Sequence, residues 1–237
     1  MPGRLLLVST PIGNLDDLSP RAAKALAEAD LVACEDTRHT GRLLAHLGIK
    51  TRLVSLHEQN ERRRIPELIA ALENEQTIAV VSDAGTPLLS DPGFPLVRAA
   101  IVAGARIEPI PGPSALLAAL VASGLPPYPF TFAGFPPPKG GKRRSFYRRL
   151  AALGHTVVVY ESPHRLVPSL EDAVTELGAD RPAALARELT KLHEEIVHGT
   201  LGELAAWARE RKLLGEFVLV VGGAAGSDES SEEPAGD

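Results

Sequence analysis

Short apolar runs recur along the first half of this chain, each followed by a polar turn and a helical stretch, and that alternation leaves few folds open. Leu5–Val8, Leu31–Cys34, Leu53–Leu56 and Ile78–Val81 read as strands, with a fifth at Arg106–Pro109. Their near-continuous apolarity belongs to strands buried on both faces, and helical patterns at 19–29, 39–47, 61–74, 94–103 and 114–122 supply the crossovers of a parallel sheet. Ser19-Pro20 is a helix start in two residues, a side-chain cap followed by proline at the first helical position.

A proline- and aromatic-rich segment, Leu125–Pro138, interrupts the pattern, and its three prolines at 136–138 exclude a regular element there. Beyond it come helices near 142–153, 165–177 and 201–212 and strands at Thr156–Tyr160, Ala183–Arg187, Glu195–Gly199 and Phe217–Val221. The expected fold class is α/β, with two α/β domains: an N-terminal one over 1–124 with a mostly parallel sheet and a C-terminal one over 125–225 with a mixed sheet. The stretch 226–237 holds five acidic residues and no base and is expected to be a disordered tail.

Charge narrows the function. The formal net charge is −5, and without the acidic stretch the acids and bases balance. That excludes a globally basic nucleic-acid coat but leaves room for a local patch. One cysteine, Cys34, permits neither an internal disulfide nor a multi-cysteine zinc site. No apolar run reaches the ~18 residues that span a bilayer, so the expectation is a soluble cytoplasmic protein without a membrane partner.

Three loops stand where open α/β sheets bind ligands, at the carboxyl ends of strands. Ser9-Thr-Pro-Ile-Gly-Asn14 follows the first strand, Ser82-Asp-Ala-Gly-Thr-Pro87 with Ser90-Asp-Pro-Gly93 the fourth, and Pro111-Gly-Pro-Ser-Ala115 the fifth. None is a G-x-G-x-x-G or P-loop sequence; together they predict a small-molecule site. Glu35-Asp-Thr-Arg38, after the second strand, is either a substrate-binding acid–base group or an acidic helix start with its own ion pair. Tyr160-Glu-Ser-Pro-His-Arg165 and Arg187-Glu-Leu-Thr-Lys191 each concentrate titratable groups after a strand, for chemistry or for structural ion pairing. His193 and His198 miss the H-E-x-x-H spacing, and no other ligand cluster exists, so no metal is expected. Lys139–Arg149 carries six bases and no acid around Phe146 and Tyr147. It reads as an RNA-binding arm whose aromatics stack on bases; the competing reading is a helix that turns Phe146, Leu150 and Leu153 inward.

In this order, these segments resemble the tetrapyrrole (corrin/porphyrin) methylase superfamily of S-adenosylmethionine-dependent enzymes, in the branch that acts on ribosomal RNA. The motifs that carry the resemblance run from Ser9–Leu18 through Glu35–Arg38, Ser82–Pro87, Ser90–Gly93, Pro111–Ala115, Glu161–Arg165 and Arg187–Lys191 to Gly215–Val218. It implies 2′-O-ribose methylation of a cytidine in 16S rRNA (the family target is cytidine 1402, in the decoding region). It also implies a cofactor, S-adenosylmethionine, held in a cleft between two domains of a homodimer, with 16S rRNA or the small ribosomal subunit as partner. Carried over by position, Pro11, Ile12, Asp83, Gly85, Thr86, Ser114, Ala115, Tyr160 and Phe217 line the cofactor pocket. Glu161, Glu188 and Lys191 are the catalytic candidates. Arg38, Lys142, Arg143, Arg144, His164, Arg165 and Arg187 are expected to hold RNA. The first loop departs from the more glycine-rich loop of the corrin methylases at Thr10-Pro11. The alternatives are methylation of a tetrapyrrole or a protein side chain by the same fold, and a non-catalytic RNA-binding assembly module.

Overall fold

A computed structural model describes residues 2–224; the acidic stretch 226–237 lies outside the described residues. The chain divides at Ser114/Ala115 into two compact units. The join precedes the expected 124/125 because the helix α5 (Ala115–Ala122) packs on strands of the second unit.

The first unit is a five-stranded, wholly parallel sheet in the order β3-β2-β4-β1-β5, built from β1 (Arg4–Val8), β2 (Leu31–Cys34), β3 (Arg52–Ser55), β4 (Thr77–Val81) and β5 (Arg106–Ile110). Its crossovers are α1 (Pro20–Glu28), α2 (Thr37–His46), α3 (Glu61–Glu73) and α4 (Phe94–Val102). The apolar runs are buried on both sides, as their lack of alternation requires. Leu6, Val8, Val32 and Ala79 pack with Ala22, Leu26 and Leu44 of α1 and α2. Leu5, Ala33, Val54, Ile78 and Val80 pack with Leu68, Leu72, Leu96 and Ala100 of α3 and α4. Burying one such leucine is worth about 1.5–3 kcal/mol, so this double covering is the main source of the unit's stability. At the start of α1 the Ser19 hydroxyl accepts from the Ala22 amide at 3.1 Å, a cap worth about 1 kcal/mol.

The strand order puts a switch point between β1 and β4. β1 and β4 are neighbours, yet the chain leaves β1 for α1 on one face and leaves β4 for α4 on the other. Connections that part to opposite faces open a crevice at the carboxyl ends of the two strands.

The second unit carries a mixed sheet in the order β6-β7-β10-β8-β9: β6 (Phe130–Phe132), β7 (Thr156–Glu161), β8 (Pro182–Arg187), β9 (Glu195–Thr200) and β10 (Phe217–Val221). Only β6 and β7 run parallel; the other pairs are antiparallel. Helices α6 (Gly140–Ala151), α7 (Leu166–Leu177) and α8 (Leu201–Arg209) cover one face, burying Phe146, Tyr147, Leu170 and Leu204 against Val157, Val159, Leu185, Phe217 and Leu219. The alternate residues Val158, Val218 and Val220 are buried on the other face, where α5 packs on β7 and β10. β6 lies inside the proline-rich segment expected to hold no regular element. It escapes the prolines because it is three residues long, ends before Pro136, and sits at the sheet edge.

Candidate active site

Each unit gathers polar residues at the carboxyl ends of its strands. In the first, the three loops are stitched together. Thr10 and Gly85 exchange two backbone hydrogen bonds, 2.9 and 3.0 Å, in an isolated antiparallel bridge. Gly85 is left-handed there (φ 79°), and a Cβ would stand 3.2 Å from the Ile12 side chain, so a larger residue is both strained and crowded. The Thr10 hydroxyl donates to the Ser82 carbonyl at 3.2 Å. Ser9 donates to the Thr86 hydroxyl (3.2 Å), which donates to the Pro113 carbonyl (3.3 Å), while the Ser9 amide donates to Ile110. The turns after β1, β4 and β5 thus form one hydrogen-bonded surface, with Ile12 buried and Pro11, Asp83, Thr86 and Ser114 half-buried. Ser9 heads the first loop in the sequence but stands outside the set carried over to the pocket; its part is to join the loops through its hydroxyl.

Carboxylates crowd the next strand ends. The Asp83 carboxylate accepts from the Asp36 amide at 3.3 Å. Burial pushes Glu35 up, with help from Asp83 and Glu58, and burial with the charges of Glu35 and Asp83 pushes Asp91 up to about 6. Asp36 goes the other way. Hydrogen bonds from the Arg38 guanidinium and amide hold it at about 2. Asp36 is also the N-cap of α2, so Arg38 is engaged in the local ion pair that the sequence left open as one of two readings.

In the second unit, Glu161 ends β7 with its side chain 2% exposed. One carboxylate oxygen accepts from the Ser162 amide (2.8 Å) and the Arg165 guanidinium (3.1 Å). The other, Oε2, is buried with no hydrogen-bond partner among the described residues. An unsatisfied buried acceptor costs about 1–3 kcal/mol, so it marks a place where a partner is wanted. Beyond β8, Glu188 sits at φ 49° and Thr190 at φ 67°, two strained non-glycine residues in one turn. Lys191 Nζ donates to Glu188 and to Glu216, both at 2.9 Å. Burial opposes the charge on both partners, yet these bonds outweigh it, lowering Glu188 and raising Lys191. Arg187 donates to the Leu214 carbonyl at 2.9 Å and lies 3.6 Å from Glu195. In the ladder Phe217 stands between Glu161 and Arg187. Its ring belongs to the core beneath, so only its backbone faces the strand ends. The Tyr160 hydroxyl accepts from the Leu116 amide (3.2 Å) and so tethers the start of α5. His164 is exposed.

The basic segment departs most from expectation. Phe146 and Tyr147 are core residues, so their rings are closed to nucleobases; the inward-turned helix is the arrangement found. Arg143 is 7% exposed and donates to Asp172 at 2.7 Å, a carboxylate it shares with Arg144. Arg148 pairs with Glu176. The acids that neutralise this helix lie on α7, where inspection of 139–149 alone cannot find them. Lys139, Lys142 and Arg149 are exposed and have no ion-pair partner among the described residues.

Two α/β units, the first with three loops joined at a switch point of its parallel sheet, form the architecture of methylase-fold proteins. The chain belongs to the Tetrapyrrole (Corrin/Porphyrin) Methylases, whose family model matches residues 4–205. It is 53% identical over 225 residues to a Mycobacterium tuberculosis protein named Ribosomal RNA small subunit methyltransferase I, covering 94% of this chain and 79% of that one. A protein of the same name from Escherichia coli O157:H7 is 50% identical over 223 residues, with 93% and 78% covered. Among solved structures, a uroporphyrin-III C-methyltransferase from Thermus thermophilus complexed with S-adenyl homocysteine superposes with a TM-score of 0.64 at 23% identity, covering 93% of this chain and 97% of that one. That likeness speaks for the fold.

Proposed function

We propose that this chain transfers the methyl group of S-adenosylmethionine to the ribose 2′-oxygen of a cytidine in 16S rRNA. The observation that carries the reading is the joining of the loops after β1, β4 and β5 through Thr10–Gly85 and Ser9–Thr86–Pro113, in a chain whose half-identical relatives are named for ribosomal RNA methylation. The cofactor is supported by the S-adenyl homocysteine complexed with the Thermus neighbour and by the residues themselves. Asp83, with Glu35 and Asp91 close enough to perturb one another, suits a cationic ligand, and Pro11 and Ile12 give it an apolar wall. Thr86, Ser114, Ala115, Tyr160 and the Phe217 backbone complete the set assigned to it. When bound, it supplies a methyl group activated on a sulfonium.

The chain's own part is to orient the ribose and take up its proton. Positioning is the largest such contribution, worth about 7–11 kcal/mol in well-oriented systems. Glu161, through its unpartnered Oε2, is the proposed proton acceptor. Lys191, kept protonated by two carboxylates, acts as a fixed cation rather than a base, and Glu188 holds it in place. Arg38, Lys142, Arg144, His164, Arg165 and Arg187 are assigned to the RNA backbone; Arg143 leaves that set because Asp172 occupies it. No helix among the described residues is long and apolar enough to cross a membrane, and cytoplasmic ribosomal subunits are the proposed partner. A homodimer is proposed from α5, which is apolar on every side and leaves Leu117 and Val121 exposed.

Mass analysis of 16S rRNA from cells with and without the gene tests this. The reading expects one ribose-methylated cytidine to vanish with the gene and return with it; identical methylation in both strains contradicts it.

A further inference from the structure

With Phe146 and Tyr147 in the core, a different aromatic faces solvent beside the basic helix. Phe135 is 48% exposed. A lone exposed aromatic is ordinary; this one is fixed by Tyr160 and by the backbone on both sides of it. The residues before it extend the β6–β7 ladder, the Ala133 amide donating to Val158 and the Tyr160 amide to Gly134, each at 3.0 Å. Its ring lies edge-on to Tyr160, centroids 5.5 Å apart at 62°, and Tyr160 is backed in turn by Phe132 at 4.8 Å. Tyr160 is itself pinned through its hydroxyl to the Leu116 amide. After Phe135 come three prolines with fixed φ, and the carbonyl of the last, Pro138, accepts from Arg143 at 3.2 Å, while Arg143 is locked on Asp172. The buried arginine thus anchors the loop that presents Phe135.

The loop and the first turn of α6 together deliver two cations. Lys139 and Lys142 are exposed with no acidic partner among the described residues, and the first amides of α6 have no side-chain cap. Lys139 follows Phe135 by four positions, at most about 14 Å of extended chain. A fixed π-face next to unneutralised positive charge is the pairing by which proteins hold unpaired nucleotides, base on ring and phosphate on cation.

We infer that Phe135 is a stacking platform for an unpaired base of the RNA substrate, with Lys139 and Lys142 holding the adjoining phosphates. This rests on the rRNA reading above and names the surface that reads the strand. A ring already immobilised by Tyr160 and the proline run loses little freedom on binding.

The test is equilibrium binding of the full chain to a 16S rRNA transcript made in vitro, across a range of salt, with calorimetry of S-adenosylmethionine on the same samples. Phe135→Ala is expected to weaken RNA binding roughly 5- to 100-fold, leave cofactor affinity unchanged, and leave the slope of log K against log salt unchanged. Lys142→Ala is expected to reduce that slope by about 0.7–0.9. Phe135→Trp should bind within about threefold of the original, with its indole fluorescence quenched by RNA; that rescue separates stacking from a folding defect. RNA affinity of Phe135→Ala within twofold of the parent overturns the inference. So does a change in its oligomeric state by sedimentation, which would make this face a contact between copies. If the unaltered chain neither binds the transcript nor methylates small ribosomal subunits, the rRNA reading itself fails, a result distinct from a silent Phe135.

Discussion

The carboxylate of Glu61, in the first turn of α3, accepts a 2.7 Å hydrogen bond from the buried amide of Gly93 at the start of α4. α4 has no side-chain cap of its own, so a residue from another helix closes the far end of the loop 82–93, whose near end is held by Thr10. Glu61→Ala should therefore destabilise the fold by about 1–3 kcal/mol, the cost of an orphaned buried amide, and weaken cofactor binding through the slackened loop. Glu61→Gln keeps an acceptor and should recover most of both. Thermal melts and cofactor calorimetry on the two variants check this; equal losses in both would show that the charge, not the hydrogen bond, matters.

Asp83 joins two roles that substitution can separate. Asp83→Asn keeps an acceptor for the Asp36 amide but removes the charge, whereas Asp83→Ala removes both. Both should weaken S-adenosylmethionine binding by roughly tenfold or more, the worth of a charged contact. Unchanged affinity in calorimetry would remove Asp83 from the pocket.

Asp91 gives a pH signature. The folded chain keeps its proton up to about pH 6, whereas an unfolded aspartate releases it near pH 4, about its reference value. Between those values the folded state binds more protons, so this group's contribution to stability falls as pH rises. Asp91→Asn should accordingly raise stability at pH 7.5, by about 1–2 kcal/mol after allowance for solvent screening, and change little at pH 4. Denaturant titrations at the two pH values measure the difference; equal effects at both would deny that burial and the charges of Glu35 and Asp83 disfavour ionised Asp91.

Arg143 and Lys142 are adjacent in sequence and should behave oppositely. Arg143→Ala strands Asp172 with only Arg144 at 3.3 Å and should cost about 3–5 kcal/mol of stability. Pairing Arg143→Met with Asp172→Leu should restore most of it. Lys142→Ala should leave the melting temperature in place. A shared loss of stability would contradict the division drawn between them.

What the sequence made legible follows from what each element does. Leu5–Val8 and Ile78–Val81 were readable because a parallel strand covered on both faces has no polar position to disguise it, and their observed ends differ by one residue at most. Ser19-Pro20 declared the start of α1 chemically. β6 was unreadable: three residues in a proline-rich segment show no period, and only the β7 edge makes them a strand. The join between units was placed late because α5, apolar throughout, carries no sign of which sheet it covers. The three ligand loops could be nominated singly, but their union through Ser9, Thr86 and Pro113 links positions 27 and 77 residues apart. The pairing of Arg143 and Arg148 is hidden for the same reason, since their partners Asp172 and Glu176 follow 29 and 28 residues later.

A methyl group placed on a ribose 2′-oxygen leaves a chemical mark: without a free 2′-hydroxyl, the adjoining phosphodiester survives alkali. The most direct measurement incubates the purified chain with methyl-labelled S-adenosylmethionine and unmethylated small ribosomal subunits, then digests the RNA with alkali. The label is expected in a single alkali-resistant dinucleotide with cytidine at its 5′ position. Label released in mononucleotides, as base methylation requires, or no label in RNA at all, would contradict it.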